Sequence, residues 1–506
     1  ADDLGYADLG CYGSDIETPN IDRLAENGIR FSRFHTSPKC APTRAMLLSG
    51  NDNHIAGMGR QGLRTGEFGY EGMLTDRIVP MPALLRDAGY LTCMAGKWHL
   101  GTSPEADPHR KGFDHSFALL EGAGNHYSDR GLFESAPVSP YTEDGKEAGW
   151  PEGAYSTDLY TDKILSYIDL SRQCNQPFFI FAAFTSPHWP LQVDEAFWRK
   201  YEGRFDGGYE QLKSRRMESL KRAGMIPEDA VLPPDHESVR SWSELSAEEQ
   251  RKEARKMELY AGMVDNLDHN IGRILRHLEE TGELERTFIL FMSDNGAANE
   301  DFYYDEHYGP FLRQHYSDEY ESMGQALSFI SYGPQWAEAG SAPFRYFKGF
   351  TTEGGMVAPM IISGPGVPGG NLIHHGFVTL LDIAPTFYEL AGTGYPESYG
   401  NIPVRPLKGT SMLPLLRGET DRLHAPDEVF AIEHGNRAMV RKGPWKITSI
   451  DLPFHPDNFH LYKVESDLAE MNDLKEEEPE IYWDLITTWE TYAREAGVQV
   501  PPPRAE

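Results

Sequence analysis

The 506-residue sequence is short of cysteine, of glycosylation signals and of positive charge. Its four cysteines, Cys11, Cys40, Cys93 and Cys174, are too few to staple a chain of this length into a disulfide framework. No Asn-x-Ser/Thr sequon occurs, although asparagine is spread along the chain. The two absences point to a cytoplasmic compartment and leave a periplasm open. No apolar run reaches membrane-spanning length, and no membrane partner is expected. With 47 Lys and Arg against 78 Asp and Glu, the formal charge is −31. That balance disfavours nucleic acid, anionic lipid surfaces and long polyanionic glycans, all of which would be repelled before a specific contact formed. An anionic substrate should therefore be small, or be met by a local positive pocket.

What is present is an alternation of strands and helices. Residues 19–28 and 82–89 have Pro near the start and Gly at the stop, the signature of short helices. Ile29 to Phe34, Leu91 to Ala95, Phe178 to Phe184, Thr287 to Ser293 and Val357 to Ser363 read as strands, several of them continuous apolar runs buried on both faces. Asp158 to Leu170 is helical by spacing. Ser246 to Glu249 is a capping box that starts a long helix with an apolar stripe from Met257 to Leu278. This pattern predicts a mixed, mostly parallel sheet sandwiched by helices. Residues 194–245 read as a polar helical insertion on the surface, without assigned chemistry. Beyond Gly392, four short strands between Val429 and Val464 and a helix from Glu480 to Ala493 predict a smaller antiparallel sheet. The expected division is 1–394 and 395–506, with Pro501 to Pro503 as a tail.

The chemistry gathers around Cys40-Ala41-Pro42-Thr43-Arg44, at the mouth of a short apolar helix that Gly50 should cap in the left-handed conformation. Free backbone donors, the helix dipole and Arg44 make that mouth an anion site. By itself the segment also fits a buried free cysteine at a helix start. Lys97 and His99, His188, and Asp294 and Asn295 each follow the carboxyl end of a predicted strand, the edge at which open α/β sheets bind ligands. Asp2 and Asp3 would join them if a strand precedes. Asp2, Asp3, Asp294 and Asn295 offer only oxygens, which suits a hard divalent cation and not zinc.

Cys40-x-Pro42-x-Arg44 resembles the type I sulfatase signature, and Asp2-Asp3, Gly96-Lys97-Trp98-His99, Ser186-Pro187-His188, Asp294-Asn295-Gly296 and Lys348 occur in that family's order. Pro187-His188-Trp189-Pro190-Leu191-Gln192 is closest in look to bacterial aryl and alkyl sulfatases. The resemblance spans residues 1 to about 395. It implies an alkaline-phosphatase-like fold, with 1–394 as the catalytic unit. It also implies a formylglycine made from Cys40 by a formylglycine-generating enzyme, and Ca²⁺ held by Asp2, Asp3, Cys40, Asp294 and Asn295. Arg44, Lys97 and Lys348 would hold charge, His188 would protonate the leaving alcohol and His99 would take a proton from the nucleophile. In that family an apolar strand leads into the acidic pair, so a strand is expected ahead of Ala1. The implied substrate is a small aryl or alkyl sulfate ester. A phosphonate or phosphodiester hydrolase is the nearest alternative; Asn295 and Lys97 favour sulfate. A non-catalytic Ca²⁺- and anion-binding relative is the other.

Overall fold

The computed structural model describes residues 1–499, so the proline tail lies outside the described residues. Helix α1 (Pro19–Glu26) leads into strand β1 (Gly28–His35), whose end hands the chain to α2 (Cys40–Ser49). The chain continues through β2 (Leu91–Lys97), β3 (His115–Leu119), a hairpin of β4 (Tyr141–Glu143) and β5 (Lys146–Ala148), α3 (Ser156–Cys174) and β6 (Phe178–Ala183). Then follow α4 (Ala247–Glu280), β7 (Ile289–Met292), β8 (Val357–Ser363), β9 (Leu372–His374) and β10 (Val378–Thr379).

The expected mixed sheet is present as two five-stranded sheets. One runs β9-β1-β8-β7, with β10 also on β1; β1–β8 and β8–β7 are antiparallel, β1–β9 and β1–β10 parallel. The other runs β5-β4-β3-β2-β6, parallel at β2–β3 and β2–β6 and antiparallel in the hairpin. Parallel and antiparallel pairings are mixed because burial on both faces selects apolar runs without fixing strand direction. The edge strands β6 and β7 line one cavity of about 950 Å³, walled also by Ile164, Ile168, Leu275 and Phe387. Residues 1 and 2 bridge its upper end. The Ala1 ammonium donates to Met292 O at 2.8 Å, and Asp2 N donates to Ser186 O at 3.1 Å.

The C-terminal residues form β11 (Val429–His434), β12 (Arg437–Lys442), β13 (Trp445–Ser449) and β14 (His460–Lys463), an antiparallel sheet in that order, packed under α5 (Pro479–Ala496). Alternation explains it: Ala438, Val440 and Ile447 pack against Leu485, Ile486 and Trp489 of α5, while Phe430, Ile432 and Met439 join the core shared with β1 and β8.

Local chemistry explains the helix ends. Ser246 and Glu249 form the expected reciprocal cap of α4, and Gly50, at φ 60°, caps α2 through its N–H to Met46 O. Residues 194–245 depart from expectation. Their helix Gly208–Arg222 is not a surface appendage: Tyr209, Leu212, Met217 and Leu220 are buried, and so is Arg216. Arg216 pairs with buried Asp8, and Lys213 with Glu338 at 3.1 Å. Polar residues were buried here because each found an opposite charge.

Candidate active site

Every site residue expected from the sequence, His99 and Cys40 apart, is drawn into one chain of ionic and hydrogen-bond contacts at the carboxyl ends of β2, β6 and β7, and Cys40 lies beside that chain. Lys97 is the last residue of β2. Gly96 lets it get there: its φ is 119°, and a Cβ would lie 1.9 Å from Ala183 O on β6. His188 follows β6 and Asp294 follows β7. Asp2 and Asp3 hang from the backbone bridge between those two strands.

Lys97 Nζ lies 2.7 and 3.0 Å from the two Asp2 carboxylate oxygens. Arg44 Nη2 meets Asp294 Oδ2 at 3.1 Å, and its Nη1 donates to Lys97 O at 2.7 Å. Lys348 Nζ meets Asp3 Oδ2 at 2.8 Å, and Asn295 Nδ2 donates to Asp3 Oδ1 at 2.7 Å. His188 Nε2 lies 3.3 Å from Asp3 Oδ2 while its Nδ1 faces Trp189 O at 2.8 Å. Asp2, Asp3, Cys40, Arg44, Lys97, Asp294 and Lys348 are all buried. Cys40, at the first turn of α2, brings Sγ together with carboxylate oxygens of Asp2 and Asp294 within 4.8 Å; Asp2, Asp3 and His188 form a second such group.

The electrostatics follow from burial. Burial, reinforced by Asp294 and Asp3, pushes the Asp2 carboxyl up to about 7 against the pull of Lys97. Asp3 is also raised, by burial first and by Glu300 and Asp294. Asp294 ends below the usual range because Arg44, Lys97 and Lys348 outweigh its burial. His99 and His188 are pushed well below the ordinary histidine value by burial and by the site lysines, so both rest as neutral imidazoles. His99 stands at φ 60°, its ring against Gly122 and its Nδ1 without a partner.

The donors fit a hard cation. Asn295 Oδ1 is buried with no hydrogen-bond partner, on a side chain bonded to Asp3, in a cluster where burial first and carboxylate repulsion second raise Asp2 and Asp3. An oxygen-seeking cation would satisfy the one and relieve the other. Three residues escaped the sequence reading. Glu300 pairs with Lys39 and lies 3.7 Å from Lys348. Gln61 accepts from Cys40 Sγ at 3.5 Å and from Ala41 N at 3.4 Å. His434 Nε2 accepts from Gln61 N at 3.1 Å. Only Gln61 had a signal, its place in the Gly-rich stretch 52–70 that follows the Cys40 segment closely.

Mixed sheets under helices, with lysines, an arginine and carboxylates paired in a buried cluster at the strand ends and a small antiparallel sheet behind, are the architecture of an alkaline-phosphatase-like hydrolase. The Sulfatase family model matches residues 1–393. An arylsulfatase of Klebsiella aerogenes is 39% identical over 419 residues, covering 81% of this chain and 89% of its own length. An uncharacterized sulfatase of Schizosaccharomyces pombe is 38% identical over 525 residues, 99% of this chain and 94% of its own. The crystal structure of Ps i-CgsB superposes with a TM-score of 0.69 at 25% identity, covering 97% of this chain and 91% of that one. The chain belongs to the sulfatase family, and is a sulfuric ester hydrolase.

Proposed function

We propose that the protein hydrolyses small aryl or alkyl sulfate esters, using a formylglycine derived from Cys40 and one Ca²⁺. The observation that carries this reading is the setting of Cys40: first turn of α2, against Asp2 and Asp294, inside a ring formed by Arg44, Lys97 and Lys348. A thiol gains nothing from that setting, since burial pushes Cys40 up and away from thiolate. An oxygen nucleophile beside a divalent cation does.

Asp2, Asp3, Asp294 and Asn295, with the group at Cys40, would hold the Ca²⁺. When present, the cation and the aldehyde hydrate supply Lewis acidity and a nucleophile that can be regenerated by elimination. The remaining work falls to side chains on this chain. Lys97 and Lys348 are fixed by carboxylates on one side and present their remaining N–H donors to a bound sulfate group. Arg44 holds Asp294 and the Lys97 carbonyl, which fixes the ring around the sulfur. His188 donates Nδ1–H to the Trp189 carbonyl, so Nε2 is the nitrogen that can carry a proton to the departing alcohol. Its lowered affinity for protons makes it a strong acid once charged. His99, with Nδ1 unpartnered and the imidazole neutral, is the base.

A formylglycine-generating enzyme is the maturation partner this reading requires. Cys11, Cys93 and Cys174 form no disulfide, which is compatible with the cytoplasmic setting proposed here. The test is peptide mass analysis at Cys40 with elemental analysis and turnover of 4-nitrophenyl sulfate on one preparation. Active protein carrying only an unmodified thiol, or no stoichiometric divalent metal, overturns the reading.

A further inference from the structure

The loop from Asp52 to Tyr70 is tied to the C-terminal sheet at three points, all at the end of β11. Asn53 Nδ2 donates to Glu433 O at 3.2 Å, and His54 Nε2 meets Glu433 Oε2 at 3.0 Å. Gln61 N donates to His434 Nε2 at 3.1 Å. The third tie is the one with a direction. It fixes the Gln61 backbone so that the side chain turns over the mouth of α2, where Oε1 accepts from Cys40 Sγ and from Ala41 N. Gln61 is half-buried and His434 buried. One acceptor oxygen thus holds both the reacting group and a free donor at the helix start.

We propose that Gln61 is a positioning residue for the reacting group at Cys40, and that the C-terminal sheet sets it through His434. This rests on the function proposed above. An amide oxygen that accepts from S–H also accepts from a hydroxyl at that place, and fixes the rotation of the group about its Cα–Cβ bond. Among the described residues no hydrogen bond joins it to Asp2, Asp3, Asp294 or Asn295, so it reaches the proposed metal set only through the group at Cys40. It also explains why the small sheet is packed against this loop: the sheet completes the mouth of the site.

Gln61→Leu keeps the side-chain size and removes the acceptor. Expected is a fall in kcat on 4-nitrophenyl sulfate of about 5- to 10-fold, the effect of one hydrogen bond, with KM within about 2-fold. His434→Phe keeps a ring without an acceptor and should reproduce that loss. His434→Gln restores an acceptor and should recover most of it. A kcat within about 2-fold of wild type in Gln61→Leu, or equal losses in His434→Phe and His434→Gln, overturns the proposal. A second readout uses protein made without the modifying enzyme, with Cys40 as thiol. Loss of the acceptor should speed iodoacetamide alkylation of Cys40 at least about 3-fold, with the exposed Cys174 as unchanged control. An unchanged Cys40 rate overturns the proposal even if the variants are poorly active. A wild type inactive on every sulfate ester would sink the proposed function instead, and the thiol measurement would still decide on Gln61.

Discussion

Gly122 is the position at which one methyl group should cost most. It lies just past β3, and a Cβ built on it would stand 2.4 Å from His99 Cε1 and 2.5 Å from Nε2. Carbon and nitrogen in contact need about 3.5 Å, so the imidazole must retreat by roughly 1 Å. The ring has little freedom to do so, because the residue is half-buried with its Nδ1 enclosed and its backbone stands at φ 60°. Gly122 itself has an ordinary φ, so the alanine backbone is unstrained. If His99 is the base proposed above, a misplacement of that size costs on the order of 100-fold. Gly122→Ala should therefore lower kcat/KM on 4-nitrophenyl sulfate by about 100-fold, with only the few degrees of thermal destabilisation typical of overpacking. The assay is a double-mutant cycle. His99→Ala should cost about 100- to 10,000-fold alone, and adding Gly122→Ala to it should change activity less than about 2-fold, because the ring it displaces is gone. Additive losses would refute the reasoning, as would a Gly122→Ala enzyme within about 3-fold of wild type.

Three other outcomes follow from the geometry. His188→Ala should slow alkyl and unactivated phenyl sulfates about 100- to 10,000-fold more than 4-nitrophenyl sulfate, whose phenolate leaves unaided; an equal loss across a leaving-group series refutes its role as acid. His54 is lowered by burial but raised further by Asp52 and Glu433, to about 9 from 6.5. Its stabilisation is complete below about pH 6.5 and lost as pH rises through 9, on the order of 3 kcal/mol, so thermal midpoints of wild type and His54→Gln should converge across that window; a constant gap refutes it. An apolar strand as long as β6, joined ahead of Ala1, should enter the cavity between β6 and β7. An unchanged thermal midpoint refutes this placement.

The site was legible where chemistry sits next to a periodic signal. Lys97, His188 and Asp294 each close an apolar run, so the strand that positions them also announces them. Lys348 and the Asp2-Asp3 pair were found by order and resemblance, with no local signal. What stayed hidden depends on distant pairing. Gln61 and His434 are 373 residues apart, and Lys39 and Glu300 are 261 apart; no window of sequence contains either pair. The surface reading of 194–245 failed for the same reason, since the charges that let Arg216 and Lys213 be buried, Asp8 and Glu338, lie far along the chain.

A chain of charge −31 that binds anions needs a local reason. The cations around Cys40 are Lys39, Arg44, Lys97 and Lys348, and they face Asp2, Asp3, Asp294 and Glu300, four against four. The ring of lysines is therefore already neutralised by its own partners, and alone it offers a sulfate ester little net attraction across a surface of the wrong sign. The divalent cation proposed on Asp2, Asp3 and Asp294 would shift the balance to net positive and free Lys97 and Lys348 from part of their carboxylate partnership. Substrate recognition and metal loading should then be one event. Inorganic sulfate, a small tetrahedral anion that presents the same oxygens, is the probe. In Ca²⁺-loaded protein it should raise the thermal midpoint with a saturable dose response, by mass action. In chelator-treated protein, and in Asp294→Ala, the shift should vanish along with turnover. Sulfate binding that survives metal removal would mean that the lysines carry the anion unaided, and that the charge argument is wrong.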